Sequence, residues 1–542
     1  MNNVRFLNKT KYFILILLVF ALLFKLVNYH LDVLFFPFQL EYREGSMLLL
    51  SSEISNGNLP YTLNNQPYLT DVYGCGYPLF SQFLTKFFGV NLFSLRLLTA
   101  VCIVFSSLFF YLYQIKYSIS KYNALIFTII FYSLNLFHCI PISRPDSLGF
   151  LFFIVALYLP VLKGYSKTSL YFSIFLSIIA FFTKSYFILA FPFTILYLFL
   201  FVDKLKSLKY LLIFFVCFFT IQILIHLIFD FYFIGTFGSQ LFTFVYDLGH
   251  LLRQLNFYFF ELLLIPSIIF IILAIRYIIR KRTFIYKEID QPFEYYRYFD
   301  FKSMNSPFLS TRFKMDVNLF YFILAFILIL IKLGGHTGQF GVYLIHFMSF
   351  SLLFLVSRKF DKITQLGFFI KNVIYILIIV NILLILPSKY DLNLDRSSFT
   401  KVDTLIKNNS KVLSTPIFAS VLCKYKKTVY ASGLTEYFWY VSEMKKNTNI
   451  PKPIAIVKDR LFLSKINQAE KKALKYSEFI KTSVEKKYFN LILLDTSRYD
   501  DWLVSKNCLK RNYSIVDSVK INMFATYESF LVYVLKPKKN RI

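Results

Sequence analysis

The chain has 542 residues, of which 57% are hydrophobic and 20% aromatic, and 60 Lys and Arg stand against 30 Asp and Glu for a formal charge of +30. Soluble domains hold roughly 45–50% apolar residues, so this composition excludes an ordinary soluble core and points to a polytopic α-helical membrane protein. The basic residues fall in short clusters between apolar runs, which is the pattern of topology determinants and sets nucleic acid aside as a partner.

A basic start (Arg5, Lys9, Lys11) leads into the first apolar run. No small-residue cleavage site follows, so the run reads as an uncleaved first span. Crossing a bilayer takes roughly 20 apolar residues. Runs of about that length fall at 12–30, 93–115, 123–141, 147–162, 168–183, 186–202, 209–229, 257–276, 318–333, 340–357 and 367–387, which predicts about eleven spans. With the N-terminus inside, the segments around Lys116, Lys163, Lys204, Arg280 and Arg358 are cytosolic and carry the basic clusters. The outer segments keep only solitary cations: Arg43, Lys86, Arg96, Arg144, Lys184, Arg253 and Lys332.

An odd span count leaves residues 388–542 outside, beyond a transmembrane part of residues 1–387. Short β-rich runs (Lys411 to Ser414, Thr428 to Ala431, Leu491 to Asp495, Phe530 to Leu535) alternate there with amphipathic stretches such as Ser464 to Glu485. That alternation predicts an extracytoplasmic α/β domain, read as accessory and without catalytic residues. Of the six cysteines none shows metal-ligand spacing, and Cys423 and Cys508 are the two that a disulfide in the tail would join.

The first outer loop, residues 31–92, is the segment least suited either to bilayer or to cytosol. Glu41 and Glu44 stand three apart at its start, a spacing that puts both acids on one face of a short helix. Ionisable residues at a bilayer edge are functional candidates by default, although a solvated interfacial turn is the plainer explanation. Beyond them, Asn58-Leu59-Pro60-Tyr61 and Gln66-Pro67-Tyr68 supply rigid turns and aromatic edges of the kind that line sugar sites.

Three later outer segments add polar groups. In Ser143-Arg144-Pro145-Asp146, Asp146 opens the next span as a helix-capping carboxylate, and Arg144 beside it suits a phosphate. Lys184 lies in an outer turn, where a Lys either snorkels or meets an anion. The run Leu333-Gly334-Gly335-His336-Thr337-Gly338-Gln339 is either a tight hairpin or a backbone that approaches a ligand closely.

An acid pair after the first span, then Gly57-Asn58-Leu59-Pro60-Tyr61, then Tyr77-Pro78-Leu79, then Arg96 opening the second span: this order resembles the GT-C glycosyltransferases. It is most similar to the bacterial relatives of protein O-mannosyltransferases and of the lipid A aminoarabinose transferase. The resemblance covers roughly residues 10–200 well, and the rest only in layout. It implies an essential acid in the first outer loop, matched by Glu41 or Glu44, and a second acid matched by Asp146. It also implies a polyprenyl-phosphate sugar as donor, its phosphate met by Arg144, Lys184 and Arg96, with Tyr61, Tyr68, Tyr77, His336 and Gln339 along the substrate loops. Many relatives have adjacent Asp and Glu, whereas here two Glu spread over Glu41-Tyr42-Arg43-Glu44, so both stay candidates for the base.

The implied protein is an inner-membrane hexosyl- or pentosyltransferase whose active site faces outward, with a glycan, lipid or protein as acceptor. No cofactor is required. Paired acids are able to take a hard divalent cation, but nothing in the sequence demands one. A polysaccharide polymerase or ligase and a multispan lipid or polysaccharide transporter are the rival readings; paired halves with broken, charged helices would mark the transporter. The topology is directly testable. Alkaline phosphatase fused after Ser388 is expected to be active, and an inactive fusion would invert the orientation or break the span count.

Overall fold

The structure is a computed structural model and describes residues 2–65, 73–138, 142–238, 247–279, 315–330, 340–361, 365–389, 396–430, 452–495, 506–522 and 529–538. The first apolar run folds as α1 (Asn2–Phe35). Two helices in the first loop follow, α2 (Tyr42–Ser55) and α3 (Gly76–Phe88). Next come α4 (Leu92–Lys116), α5 (Lys121–His138), α6 (Asp146–Leu162), α7 (Lys167–Thr183), α8 (Ala190–Phe201) and α9 (Lys204–Ile228). Their starts are set by side chains that satisfy orphan N–H groups: Asn91 and Ser94 form a capping box on α4, Ser166 caps α7 and Asp203 caps α9. Gly89, at φ 77°, closes α3 where an L side chain would be strained.

Among the described residues three helices are long and apolar enough to cross a membrane: Phe13–Phe35, Leu92–Lys116 and Lys204–Ile228. A fourth span arises if Leu251–Glu261 and Leu264–Ile272, bent by 87°, count as one. The protein is therefore a multi-pass membrane protein. Other predicted runs also lie in helices, some of them short, as in Asp146–Leu162, Lys167–Thr183 and Val317–Leu328, and some long, as in Phe340–Asp361 and Gln365–Lys389.

Polar contacts divide the bundle into two ends. One carries the turn after α1, Asp146 and Lys184. The far end carries the hydrogen bond between Tyr113 and Asn318 and the ion pair of Arg358 with Asp316. Tyr113 lies 17 residues beyond Arg96 on α4, or about 26 Å at ~1.5 Å per residue.

The tail builds a four-stranded sheet in the order β1-β2-β4-β3, from β1 (Val412–Ser414), β2 (Leu491–Asp495), β3 (Tyr513–Asn522) and β4 (Ser529–Pro537). β1 runs parallel to β2, and β4 is antiparallel to both β2 and β3. The predicted run at 428–431 is not a strand over residues 428–430. β3 escaped prediction because it is an edge strand whose apolar positions are broken by Ser514, Asp517, Ser518 and Lys520. Side chains alternate across the sheet. Ile492 and Leu535 pack on the helix Leu463–Glu485, while Leu491, Leu493, Val519 and Val532 join the same buried core as the membrane helices. Cys423 and Cys508 are both free, so the disulfide considered for the tail is not formed.

The first loop is tied down at two points. At its start, Arg96 in the first turn of α4 is fully buried and spends all five N–H donors. Its Nε and Nη2 bind Glu44 at 2.8 Å each. The remaining three bind the carbonyls of Val33 at 2.8 Å, Phe36 at 2.6 Å and Phe38 at 2.6 Å. At its end, the Gly74 N–H donates to the Thr183 carbonyl at 3.3 Å, and a Cβ on Gly74 would lie 1.9 Å from the Phe182 oxygen.

Removing Arg96 strands a buried carboxylate, a loss of about 3–5 kcal/mol. Arg96→Met is expected to lower the unfolding midpoint in detergent sharply, and Arg96→Met with Glu44→Met to recover much of it; a single variant as stable as the parent would contradict this. Gly74→Ala is expected to lower the midpoint by several degrees, since backbone must move. An unchanged midpoint would show that the loop tolerates separation from the Lys184 turn.

Candidate active site

Where the first loop meets the openings of α6 and the turn after α7, six polar residues converge. Glu41 is the N-cap of α2, with extended backbone, and its Oε2 accepts the Arg43 N–H at 2.9 Å. Arg144 precedes α6, Asp146 is its first residue, and Lys184 ends α7. The carboxylate of Asp146 binds Lys184 Nζ through Oδ1 at 2.5 Å and Arg144 Nε through Oδ2 at 2.9 Å. Tyr73 sits at the centre. Its hydroxyl accepts from Arg144 at 2.9 Å and from Arg43, and Lys184 Nζ stands 4.6 Å from its ring centroid.

The two glutamates do different jobs, contrary to the expectation of one paired face. Glu44 is fully buried and spends both oxygens: beyond Arg96, it accepts from the N–H of Leu40 at 2.6 Å and of Ser143 at 2.8 Å. Burial pushes its pKa up, but Arg96 and these donors outweigh that and hold it below the usual value. Glu41 goes the other way. Burial dominates and raises it, although Arg144 and Arg43 oppose the shift. Lys184, in the turn beyond both neighbouring apolar helices, is lowered to about 7 by burial, with Asp146 opposing.

Of the residues expected from sequence, Glu41, Asp146, Arg144 and Lys184 come together. Arg96 does not join them: with every donor engaged by Glu44 and three carbonyls it has none left for a phosphate, and Glu44 is its partner rather than a base. Tyr77 is also structural, its buried hydroxyl donating to the Leu95 carbonyl at 2.7 Å. Tyr61 packs in the core against Tyr232 and Phe229 rather than lining the cluster. Tyr68, His336 and Gln339 lie outside the described residues.

Sequence reasoning missed Tyr73 and placed Arg43 only among the solitary outer cations. The signal for Tyr73 was its neighbour: a glycine at position 74 lets backbone meet backbone at Phe182, and so carries Tyr73 to Lys184. Among the described residues no group of three or more His, Cys, Asp or Glu could hold a metal ion. The cluster is instead a cation-rich site with one acid held apart from its ion pairs.

No protein-family model matches the chain, and no curated protein matches it. Among solved structures the chain is similar to a crystal structure of ArnT from Cupriavidus metallidurans bound to undecaprenyl phosphate, at 10% identity and a TM-score of 0.46, over 94% of this chain and 97% of that one. A likeness of that degree fixes neither family nor substrate.

Proposed function

We propose that the protein is a membrane glycosyltransferase that moves a sugar from a polyprenyl-phosphate donor to an acceptor hydroxyl on the outer face of the membrane. The observation that carries this reading is the cluster itself: Arg43, Arg144 and Lys184 gathered around Tyr73 beside Glu41, at one end of an apolar helical bundle. The order of the sequence motifs along residues 10–200 supports the same reading. A lipid tail in the bilayer would bring its phosphate to that depth, where guanidinium and ammonium groups bind phosphate oxygens.

In this mechanism Glu41 takes the proton from the acceptor hydroxyl as its oxygen attacks the anomeric carbon. The bond from that carbon to the phosphate oxygen breaks, and its electron pair leaves with the polyprenyl phosphate, so configuration inverts. Arg43, Arg144 and Lys184 stabilise the charge that gathers on the leaving phosphate. Asp146, bound to two of these cations, orients them, and Tyr73 spaces the two guanidiniums. Burial serves the base, because a raised carboxyl accepts a proton more readily near neutral pH.

The test is release of polyprenyl phosphate by the purified protein from a panel of polyprenyl-phosphate sugars supplied with glycan, lipid and protein acceptors, the sugar passing to an acceptor hydroxyl as the phosphate leaves. Glu41→Gln is expected to slow release by about 10²- to 10⁴-fold with polyprenyl phosphate binding little changed, while Lys184→Ala weakens both. The rate should fall in acid, as Glu41 gains its proton, and again above about pH 7, as Lys184 loses its charge. Full activity in Glu41→Gln would remove the base from this position, and no release from any donor would overturn the reading.

A further inference from the structure

Glu41 is held by a side chain that no motif suggested. Gln39, two residues earlier, is 1% exposed. Its Nε2 donates to the Glu41 carbonyl at 3.3 Å and to the Pro416 carbonyl at 3.2 Å. Its Oε1 accepts the Ser420 N–H at 2.7 Å, which fixes the amide orientation, since a backbone N–H has to face an oxygen. One amide thus links the catalytic turn to the 3₁₀ turn Pro416–Phe418 and the helix Ala419–Lys424 of the tail.

Neighbouring contacts hold that link. A Cβ on Gly45, one turn into α2, would lie 2.7 Å from the Ala419 Cβ and from both polar atoms of the Gln39 amide, so α2 and the tail helix approach as closely as glycine allows. Phe38 stacks on Phe399 of the tail with centroids 5.1 Å apart and planes 15° apart. On the other side the Phe38 carbonyl is taken by Arg96. Phe38 and Gln39, three and two residues before Glu41, are therefore gripped by the bundle on one side and by the tail on the other.

We propose that Gln39 is a positioning residue for Glu41 and that the tail, through Pro416 and Ser420, is a working part of the active site rather than an accessory domain. The proposal rests on Glu41 being the base. Its physical basis is that a base displaced by even about 1 Å loses on the order of a hundredfold in rate, and that the Gln39 amide ties the Glu41 carbonyl to the tail. The tail supplies no reacting group; it supplies a fixed carbonyl and a fixed N–H for the amide that orients the turn.

The experiment uses the full chain in detergent and two readouts: release of polyprenyl phosphate from polyprenyl-phosphate sugars across pH, and binding of polyprenyl phosphate across pH. Gln39→Met keeps the shape and removes the hydrogen bonds. It is expected to bind polyprenyl phosphate within about threefold of the parent, to release it about 10- to 100-fold more slowly, and to shift the acid limb of the release profile but not of the binding profile, because the surroundings of Glu41 change. Gly45→Ala perturbs the same contact from the helix side and is expected to shift the same limb; it decides the matter if Gln39→Met does not fold. A parent that releases polyprenyl phosphate while Gln39→Met or Gly45→Ala matches it in rate and acid limb overturns the proposal and leaves the transferase reading standing. A parent that neither binds nor releases polyprenyl phosphate overturns that reading, and this proposal with it.

Discussion

Everything at the site end depends on one guanidinium. The last turn of a helix leaves carbonyls without partners, and α1 ends where the chain must turn sharply into the loop that carries Glu41. From a different helix Arg96 supplies donors to one carbonyl of that turn, Val33, and to two just beyond it, Phe36 and Phe38, and Glu44 balances its charge. A buried charge is tolerated only when paired and fully hydrogen-bonded. The arrangement meets both conditions, and in doing so it fixes the distance between α1, α2 and α4.

With that frame in place, the chemistry is a matter of unequal treatment of like groups. Glu44 and Glu41 are three residues apart and both buried, yet one is surrounded by donors and the other faces cations that only partly offset its burial. The same holds for the cations. Arg96 is spent on structure, while Arg43 and Arg144 share a single tyrosine hydroxyl and Lys184 shares a carboxylate with Arg144. The proposed chemistry falls where the surroundings leave charge less than fully matched.

Hydrophobic periodicity and solitary outer cations made much of this legible. Apolar run length located the helices, and charge against the topological bias singled out Arg144 and Lys184. What was not legible was assignment among similar residues. Nothing in the string Glu41-Tyr42-Arg43-Glu44 says which acid will meet Arg96, because the partner lies 52 positions away and is chosen by packing. Tyr73 was hidden for a related reason: its importance comes from contact with Arg144, 71 positions on, in a loop rich in tyrosine. The edge strand β3 was hidden by its polar face, and Gln39 by having no charge at all.

The separation of Gln39 from Pro416 is 377 residues. A ribosome adds about 5–20 residues per second, so the turn bearing Glu41 waits on the order of 20–75 s at that pace for the segment that braces it. During that interval the helices up to residue 389 are already made, and the inner face of the tail sheet, Leu491, Leu493, Val519 and Val532, has yet to cover its share of the core. A chain halted before residue 416 would thus carry Glu41 in a turn that lacks its outer clamp. If Glu41 is the base we propose, competence arrives only once residues 416–420 have been made, and a chain that ends short of them would be slow to act on the lipid-linked sugars around it.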